Sequence, residues 1–277
     1  MKLGKYILGL ALVALAFTSC DQENEGAIYD APAMPNLSFT TASLYGETEG
    51  DELTIPVTIT RTYSTEAYTT TVNATSNNDK IKVRSNQVSF GAKETSTTIY
   101  VDATNLDWGD ECICTLTFPD ADVQGANPFD DPIHQVVVTI KKPALVPAGT
   151  CTFIDYTWGD AEGNPVAAEN VPIINVEGTN KYRIISPLYY CYNGMEADPD
   201  MSYFQFNLQS DGNVTVDNGL NLNWWGYVGY YDATNYGGYC YVERDGNSYT
   251  VNELLLYNNT SLYTGGAFTF IWDKDAE

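Results

Sequence analysis

Apolar and polar residues alternate along much of this chain, which is the pattern of strands that are buried on one face. In the clearest run, Leu53–Thr60, every second residue is apolar, as expected when successive side chains point to opposite faces of a sheet. Pro56 takes a polar position of this run, which places it on an edge strand or at a bulge. No window of the sequence has the apolar period of a helix packed against a core. The pattern therefore predicts an all-β protein.

Short strands separated by turn residues continue to about residue 142. The predicted strands after the first are Tyr68–Ala74, Ile81–Val83, Gln87–Phe90, Thr97–Val101, Ile113–Phe118 and His134–Ile140. Clusters of Asn, Asp, Gly and Ser, such as Ser76–Asp79 and Asp107–Asp110, mark the turns between them. Seven or so short strands in roughly 105 residues are typical of an antiparallel β-sandwich. Residues 37–142 are therefore predicted to form an N-terminal β-sandwich.

A second antiparallel β domain, a sandwich or a barrel, is predicted for residues 150–277. It follows a linker at residues 143–149, which holds two prolines and ends in glycine. Its predicted strands are Thr150–Tyr156, Lys181–Tyr189, Tyr203–Leu208, Val214–Asp217, Tyr239–Arg244, Ser248–Leu256 and Phe268–Trp272. The pairs Asp211-Gly212 and Asp245-Gly246 stand between strand-like runs and predict hairpins. This domain holds 15 of the 21 tyrosines and four of the five tryptophans, so it is also the aromatic-rich part of the chain.

Residues 1–19 have the composition of a signal peptide. Two lysines precede an apolar stretch, Ile7–Phe17, that is shorter than the roughly 20 residues of a membrane-spanning helix. The small residues before Cys20 resemble the lipobox of bacterial lipoproteins, which implies cleavage before Cys20 and acylation of its thiol; an ordinary secretory peptide is the alternative. Residues 20–36 are predicted to form an acidic flexible tether, and Asp21–Glu25 resembles the surface-export signal of Bacteroides-type lipoproteins. We therefore expect an outer-membrane protein, exposed at the cell surface, whose only membrane contact is its lipid anchor.

Several segments of the N-terminal domain resemble a Calx-β-like domain. They are Glu47–Asp51, Val57–Arg61, Val88–Asp102 and Cys114–Phe118. The resemblance implies an Ig-like β-sandwich, and some Calx-β domains bind calcium through clustered acids. The positions that match those acids here are Glu47, Asp102, Asp107, Asp110 and Glu111. Residues 103–105 carry no acid where further acids would be expected, and calcium needs about six to eight oxygen ligands. Solvated loop acids are thus the alternative to a calcium site.

The C-terminal domain resembles the terminal module of uncharacterised Bacteroidetes surface lipoproteins. The resemblance lies in Lys181–Ile184, Phe204–Phe206 and Asp211–Val214. In such proteins the module follows a Calx-β-like or Ig-like domain, which is the order found in this chain. The resemblance implies a localisation and a domain layout, and it implies no activity.

Charge and rare residue types narrow the chemistry that the chain can perform. The chain has 36 acidic and 13 basic residues and a formal net charge of −23, which makes nucleic acid a poor partner. Its one histidine, His134, excludes a multi-histidine metal centre, and no hydrolase, phosphate-loop or zinc-protease motif occurs. Five cysteines remain besides Cys20, and a Cys151–Cys191 or a Cys191–Cys240 disulfide is left open.

The densest candidate for ligand binding is the segment 221–241, in which aromatic rings stand among glycines and asparagines. The candidate binding residues are Trp224, Trp225, Tyr227, Tyr230, Tyr231, Asp232 and Tyr236. An aromatic ring offers a flat apolar face to a sugar ring, while amides and carboxylates bind its hydroxyls. The alternative is that these rings fill the core of the domain. On an extended segment the two tryptophans point to opposite sides, so at most one is expected in the core.

We therefore predict a surface-anchored binding protein without catalytic activity that recognises a glycan through its C-terminal domain. The N-terminal sandwich would be a spacer. A structural or adhesive role with an envelope protein as partner is the first alternative. A glycoside hydrolase that uses two carboxylates is the second, although acid pairs such as Asp198 and Asp200 are expected by chance in so acidic a chain. Calcium is the one cofactor that the sequence suggests.

Overall fold

Strands make up most of the chain. The computed structural model describes residues 36–62, 66–123, 132–192, 202–216, 240–257 and 262–274. The first ten strands are β1 (Leu37–Phe39), β2 (Ser43–Glu47), β3 (Glu52–Arg61), β4 (Tyr68–Thr71), β5 (Asn73–Ser76), β6 (Ile81–Val83), β7 (Gln87–Phe90), β8 (Ser96–Thr104), β9 (Glu111–Thr117) and β10 (Gln135–Lys141). A short helix, α1 (Asp120–Val123), follows β9. The predicted all-β class is confirmed.

The remaining strands belong to the C-terminal domain. They are β11 (Leu145–Asp155), β12 (Val166–Val176), β13 (Lys181–Ile185), β14 (Tyr203–Leu208), β15 (Val214–Val216), β16 (Tyr241–Asp245), β17 (Ser248–Tyr257) and β18 (Leu262–Asp273). One helix, α2 (Pro187–Cys191), follows β13. In the described part of the chain, neither helix has the length and apolar character needed to cross a membrane.

The N-terminal domain is an Ig-like sandwich of two four-stranded sheets. The strand orders are β1-β3-β8-β6 and β2-β10-β9-β5. In an Ig-like sandwich, strands A to G form the sheets ABED and CFG. Strands β1, β3, β8 and β6 take the positions of A, B, E and D, and β5, β9 and β10 take those of C, F and G. The first strand crosses between the sheets, since β1 pairs antiparallel with β3 and β2 pairs parallel with β10.

The core between these sheets follows the alternation seen in the sequence. In β3, Ile55, Val57 and Ile59 are buried, and Pro56 between them is exposed. Strand β1 pairs only with residues 59–61 of β3. Pro56 therefore lies in a part of β3 that has β8 on one side and no partner on the other among the described strands, as expected for a residue without an N–H donor.

The C-terminal domain is a single antiparallel sheet that is nearly closed into a barrel. Its order is β15-β14-β13-β12-β11-β18-β17-β16, so β15 and β16 are the two edge strands. The edges meet through the turns beside them, where Arg244 Nη1 donates to the carbonyl oxygen of Asp211 at 3.0 Å. The Tyr249 hydroxyl also donates to the carbonyl oxygen of Gly212 at 3.1 Å. The two predicted Asp-Gly turns thus close one end of the barrel.

Three sequence predictions differ from the structure in the second half. Strand β11 begins at Leu145, inside the segment predicted as a linker, so residues 143–149 overlap the first strand of the domain. Strand β12 was not predicted. The strand predicted over 181–189 ends at Ile185, because Ser186 has a left-handed backbone and Pro187 begins a helix.

Candidate functional site

Aromatic rings from the described strands of the C-terminal sheet line its interior. The buried rings are those of Phe153, Phe204, Phe206, Tyr249, Phe268, Phe270 and Trp272. Phe206 stacks on Phe270 and on Tyr182, with ring centroids 4.9 and 5.5 Å apart. Trp272 meets the edges of Tyr182 and Phe206 at 4.9 and 5.5 Å. The described strands therefore build a continuous cluster of aromatic side chains.

The segment with the candidate binding residues joins the two edges of this sheet. It follows β15, which ends at Val216, and it precedes β16, which begins at Tyr241. The residues Trp224, Trp225, Tyr227, Tyr230, Tyr231, Asp232 and Tyr236 lie outside the described residues, as does the predicted lipidation site, Cys20. Tyr241, at the end of the segment, is described and 48% exposed.

A groove of about 440 Å³ lies on the outer face of the same sheet. Its lining includes Thr150, Thr152, Glu169, Asn247 and Asp273, with the exposed side chain of Ile271 beside them. Amides, hydroxyls and carboxylates around an exposed apolar side chain suit a ligand rich in hydroxyl groups. Sequence reasoning missed this groove because its residues come from strands far apart in the chain.

Two of the predicted calcium ligands are held together by a lysine. Lys80 Nζ donates to Asp107 Oδ2 at 2.6 Å and to Asp110 Oδ2 at 2.5 Å. These hydrogen bonds, that of Asp107 first, raise the pKa of Lys80, and the hydrogen bond from Lys80 lowers the pKa of Asp110. The ammonium group thus compensates the negative charge of the two carboxylates, as a bound calcium ion would.

The other three predicted ligands lie elsewhere. Arg84 Nε and Nη2 donate to the carboxylate of Asp102 at 2.9 and 2.7 Å, on the outer face of the sheet that contains β8. Glu47 accepts a hydrogen bond from the Tyr45 hydroxyl at 2.5 Å, and Glu111 stands opposite Lys141 in the other sheet. Among the described residues no three acidic, histidine or cysteine side chains come close enough to hold a metal ion. Asp107 and Asp110 are therefore brought together, and the five predicted calcium ligands do not form one site.

A buried acid that sequence reasoning did not single out lies at the end of β11. Asp155 has no exposed surface, and its carboxylate accepts hydrogen bonds from Thr157 N at 2.7 Å and from the Tyr192 hydroxyl at 2.6 Å. Burial is the main cause that raises the pKa of Asp155, and the Tyr192 hydrogen bond opposes it. Only the folded chain brings Tyr192 to this position, so no local sequence signal marks the pair.

The cysteines of the second domain are thiols. Cys151, Cys191 and Cys240 are all free, so neither of the disulfides left open by the sequence is formed. Cys191 Sγ lies 3.6 Å from the carbonyl oxygen of Val166 and 3.8 Å from that of Phe153. Burial raises the pKa of the Cys191 thiol to about 12. A thiol of this kind is a poor nucleophile, and its role here is packing.

Comparisons with known proteins give fold similarities alone. No family model matches the chain, and no curated protein matches its sequence significantly. A protein of unknown function from Bacteroides ovatus is similar over 84% of this chain and 89% of its own, with 10% identity and a TM-score of 0.30. The class 5 fimbriae chaperone CfaA is similar over 66% of this chain and 99% of its own, with 9% identity and a TM-score of 0.28. The Caenorhabditis elegans MSP family member WR4 covers 39% of this chain and 98% of its own, with 13% identity and a TM-score of 0.26.

At these identities and TM-scores, the similarities assign no site residue. The Ig-like assignment of the first domain rests on its strand order, described above. The Calx-β resemblance and the lipid anchor stay predictions.

Proposed function

We propose that this chain is a surface-anchored binding protein without catalytic activity, whose C-terminal domain recognises a glycan through the segment 221–241. The observation that carries the proposal is the composition of the core. Among the described residues, rings such as Phe153, Phe206 and Phe270 are buried in the interior of the sheet, where Phe206 stacks on Phe270 and Phe153 packs against Phe268. The core thus has its own aromatic side chains, which supports a role for the rings of 221–241 outside it.

The C-terminal sheet has a second feature that suits the same ligand class. The strand before the segment ends at Val216 and the strand after it begins at Tyr241, and these are the two edge strands of the sheet. The outer groove of that sheet offers the amide of Asn247 and the carboxylates of Glu169 and Asp273. Rings that stack on a sugar and polar groups that bind hydroxyls are the two features that glycan recognition needs.

The rest of the chain would carry this domain away from the membrane. In the proposal, acylated Cys20 anchors the protein, residues 20–36 form the tether and the Ig-like domain is a spacer at the cell surface. The spacer role is supported by the polar side chains Thr54, Thr98 and Asp102, which point away from the core on the outer face of β3 and β8.

The buried acid Asp155 is itself unsuited to glycoside hydrolysis. A glycosidase needs a carboxylic acid with a raised pKa that can reach the glycosidic oxygen. Asp155 has a raised pKa, yet it has no exposed surface and both of its oxygens face protein donors. Its properties therefore fit a structural role in the end of β11.

A glycan array probed with the mature chain, residues 20–277, tests the proposal. We expect binding to at least one class of polysaccharide and no release of shorter products from it. Product release that is lost on a single Asp→Asn change would favour the hydrolase instead. Failure to bind any polysaccharide, together with specific capture of one envelope protein, would overturn the glycan proposal and favour the adhesive role.

A further inference from the structure

One tryptophan contacts two cations, one from each domain. Trp108 lies in the loop between β8 and β9. Lys142 Nζ, just after β10, lies 4.7 Å from the centroid of the Trp108 ring. Arg183 Cζ, on β13 of the C-terminal domain, lies 4.7 Å from a ring of the same side chain. Both cationic side chains are almost fully buried, with 5% and 6% of their surface exposed. A cation held over an aromatic face away from water is attracted more strongly than one at the surface.

Arg183 and its neighbour Lys181 also pair with an acid of the first domain. Glu49, in the loop between β2 and β3, lies 2.5 Å from Lys181 Nζ and 3.6 Å from Arg183 Nη2. On its own domain, Arg183 lies 4.1 Å from the centroid of the Tyr203 ring and donates to Gln205 Oε1 at 3.0 Å. These contacts within the C-terminal domain hold the guanidinium in the position where it contacts Trp108 and Glu49.

The segment that connects the domains is held on both sides. The backbone N–H of Gly109 donates to the carbonyl oxygens of Lys142 and Pro143, each at 3.1 Å. The backbone N–H of Glu177, in the turn after β12, donates to the carbonyl oxygen of Ala144 at 2.9 Å. Lys141 Nζ and Glu177 Oε2 form a further ion pair at 3.1 Å. Residues 142–144 therefore have little freedom to act as a hinge.

Basic residues are rare in this chain, and they are concentrated at this contact. Outside the predicted signal peptide there are 11 lysines and arginines, and the four at the contact are Lys141, Lys142, Lys181 and Arg183. Two domains in one chain move relative to each other unless their interface holds them. We infer that Trp108, Lys142, Arg183 and Glu49 form a lock that fixes the two β domains as one rigid body.

The lock gives these residues a positioning role. The anchor and tether precede the first domain, and the candidate glycan segment belongs to the second. A fixed contact between the domains sets the direction in which the second domain faces. The buried contacts of Lys142 and Arg183 with Trp108 are little screened by salt, whereas the partly exposed ion pairs Lys141–Glu177 and Lys181–Glu49 are screened. The lock is therefore expected to persist at high ionic strength.

Backbone 15N relaxation of residues 20–277 tests the lock. In the wild-type chain, we expect the two domains to have the same rotational correlation time, at low and at high salt. In Trp108→Ala, the correlation times of the two domains should separate and both should fall toward the values of bodies of half the mass. The amide spectra of both domains should keep their native dispersion. Arg84→Gln is the matched control, since Arg84 pairs with Asp102 and stacks on Tyr100 inside the first domain.

A second variant keeps the test decisive if Trp108→Ala unfolds either domain. Glu49→Gln removes the charge that pairs with Lys181 and Arg183 and keeps the shape of the side chain. Faster and separate tumbling of the domains in Glu49→Gln supports the lock. If Trp108→Ala is folded and its domains tumble as in the wild type, the lock is overturned. If only Glu49→Gln is folded, wild-type tumbling of that variant overturns the lock. Independent tumbling of the domains in the wild-type chain overturns it too. These outcomes are read without any ligand, so they are separate from the outcome of the glycan array.

Discussion

At the scale of single residues, Asp155 couples the stability of the chain to pH. Its carboxylate is fully buried, and burial raises its pKa above the ordinary value of 3.8. The folded chain therefore binds this proton more tightly than the unfolded chain does. The contribution of Asp155 to stability is greatest below the unfolded pKa, and it decreases as pH rises through the folded pKa.

Replacing Asp155 by Asn removes this dependence. The amide has the same shape, and the Tyr192 hydroxyl can accept from it where it now donates. We expect the free energy of unfolding of Asp155→Asn, relative to that of the wild type, to increase as pH rises from about 4. Denaturant titrations across the acid and neutral range measure the difference between the two.

Asp160→Asn is the matched control with the opposite sign. Hydrogen bonds from Asn164 and its backbone lower the pKa of Asp160, so its stabilisation is present above the unfolded pKa and is lost as pH falls through the folded pKa. The free energy of unfolding of Asp160→Asn, relative to that of the wild type, should therefore decrease as pH rises. Parallel curves for Asp155→Asn and the wild type would contradict the account of the buried acid.

Lys80 belongs to the residue scale as well, because it occupies the place between two predicted calcium ligands. Lys80→Gln leaves the carboxylates of Asp107 and Asp110 beside each other without their cation. We expect millimolar calcium to raise the melting temperature of this variant and to leave the wild type unchanged, since paired carboxylates bind calcium weakly. Lys82→Gln, on strand β6 just after Lys80, is the control and should not respond. Equal responses of Lys80→Gln and Lys82→Gln would refute this interpretation.

At the scale of elements, a glycine allows the bulge in β11 at the point where the predicted linker joins the sheet. Gly149 has a φ of +93° at a bulge of β11, and a Cβ there would lie 2.3 Å from the carbonyl oxygen of Asp273 on β18. Gly178, in the turn after β12, has a φ of +76° and no atom within 4 Å of the position of a Cβ. The two glycines share a backbone conformation and differ in their surroundings.

Alanine at these two positions separates strain from steric clash. Gly178→Ala should lower the free energy of unfolding by about 1 kcal/mol, the effect of a left-handed backbone with a side chain. Gly149→Ala should lower it by more than about 2 kcal/mol, because the new methyl group meets a backbone carbonyl that cannot move away. Chemical denaturation of both variants gives the comparison, and equal losses would contradict the close approach of β11 and β18.

The same scale shows where sequence reasoning succeeds and fails. The strands that alternate without interruption, such as β3 and β10, were predicted because their residues face the core and the solvent in turn. Strand β12 was missed because its pairing with β11 shifts near Asn170, whose φ is +56°, and the shift changes the phase of the apolar pattern. The alternation of apolar and polar residues does not reveal a bulge of this kind.

At the scale of the whole molecule, the class and the two-domain layout follow from the sequence, and the contacts between distant strands do not. Strand periodicity predicted an antiparallel sandwich, which the strand order of the first domain confirms. Lys80 beside Asp107, Tyr192 beside Asp155 and Trp108 beside Arg183 each join residues that are 27 or more positions apart. The candidate glycan residues could be selected from the sequence, because rings crowded among glycines are a local feature.

The central claim is that the tryptophans of 221–241 bind a glycan and do not fill the core. The most direct measurement is the affinity of the double variant Trp224→Ala, Trp225→Ala for a polysaccharide bound by the wild type, with its free energy of unfolding measured on the same sample. Tyr45→Ala is the matched control, since Tyr45 is 62% exposed on the first domain. We predict a loss of affinity of at least about tenfold, or about 1.4 kcal/mol, for the double variant and none for the control. The stability of the double variant should stay within about 1 kcal/mol of the wild type. Unchanged affinity, or a loss of stability of about 3–5 kcal/mol as for a core tryptophan, would contradict the account.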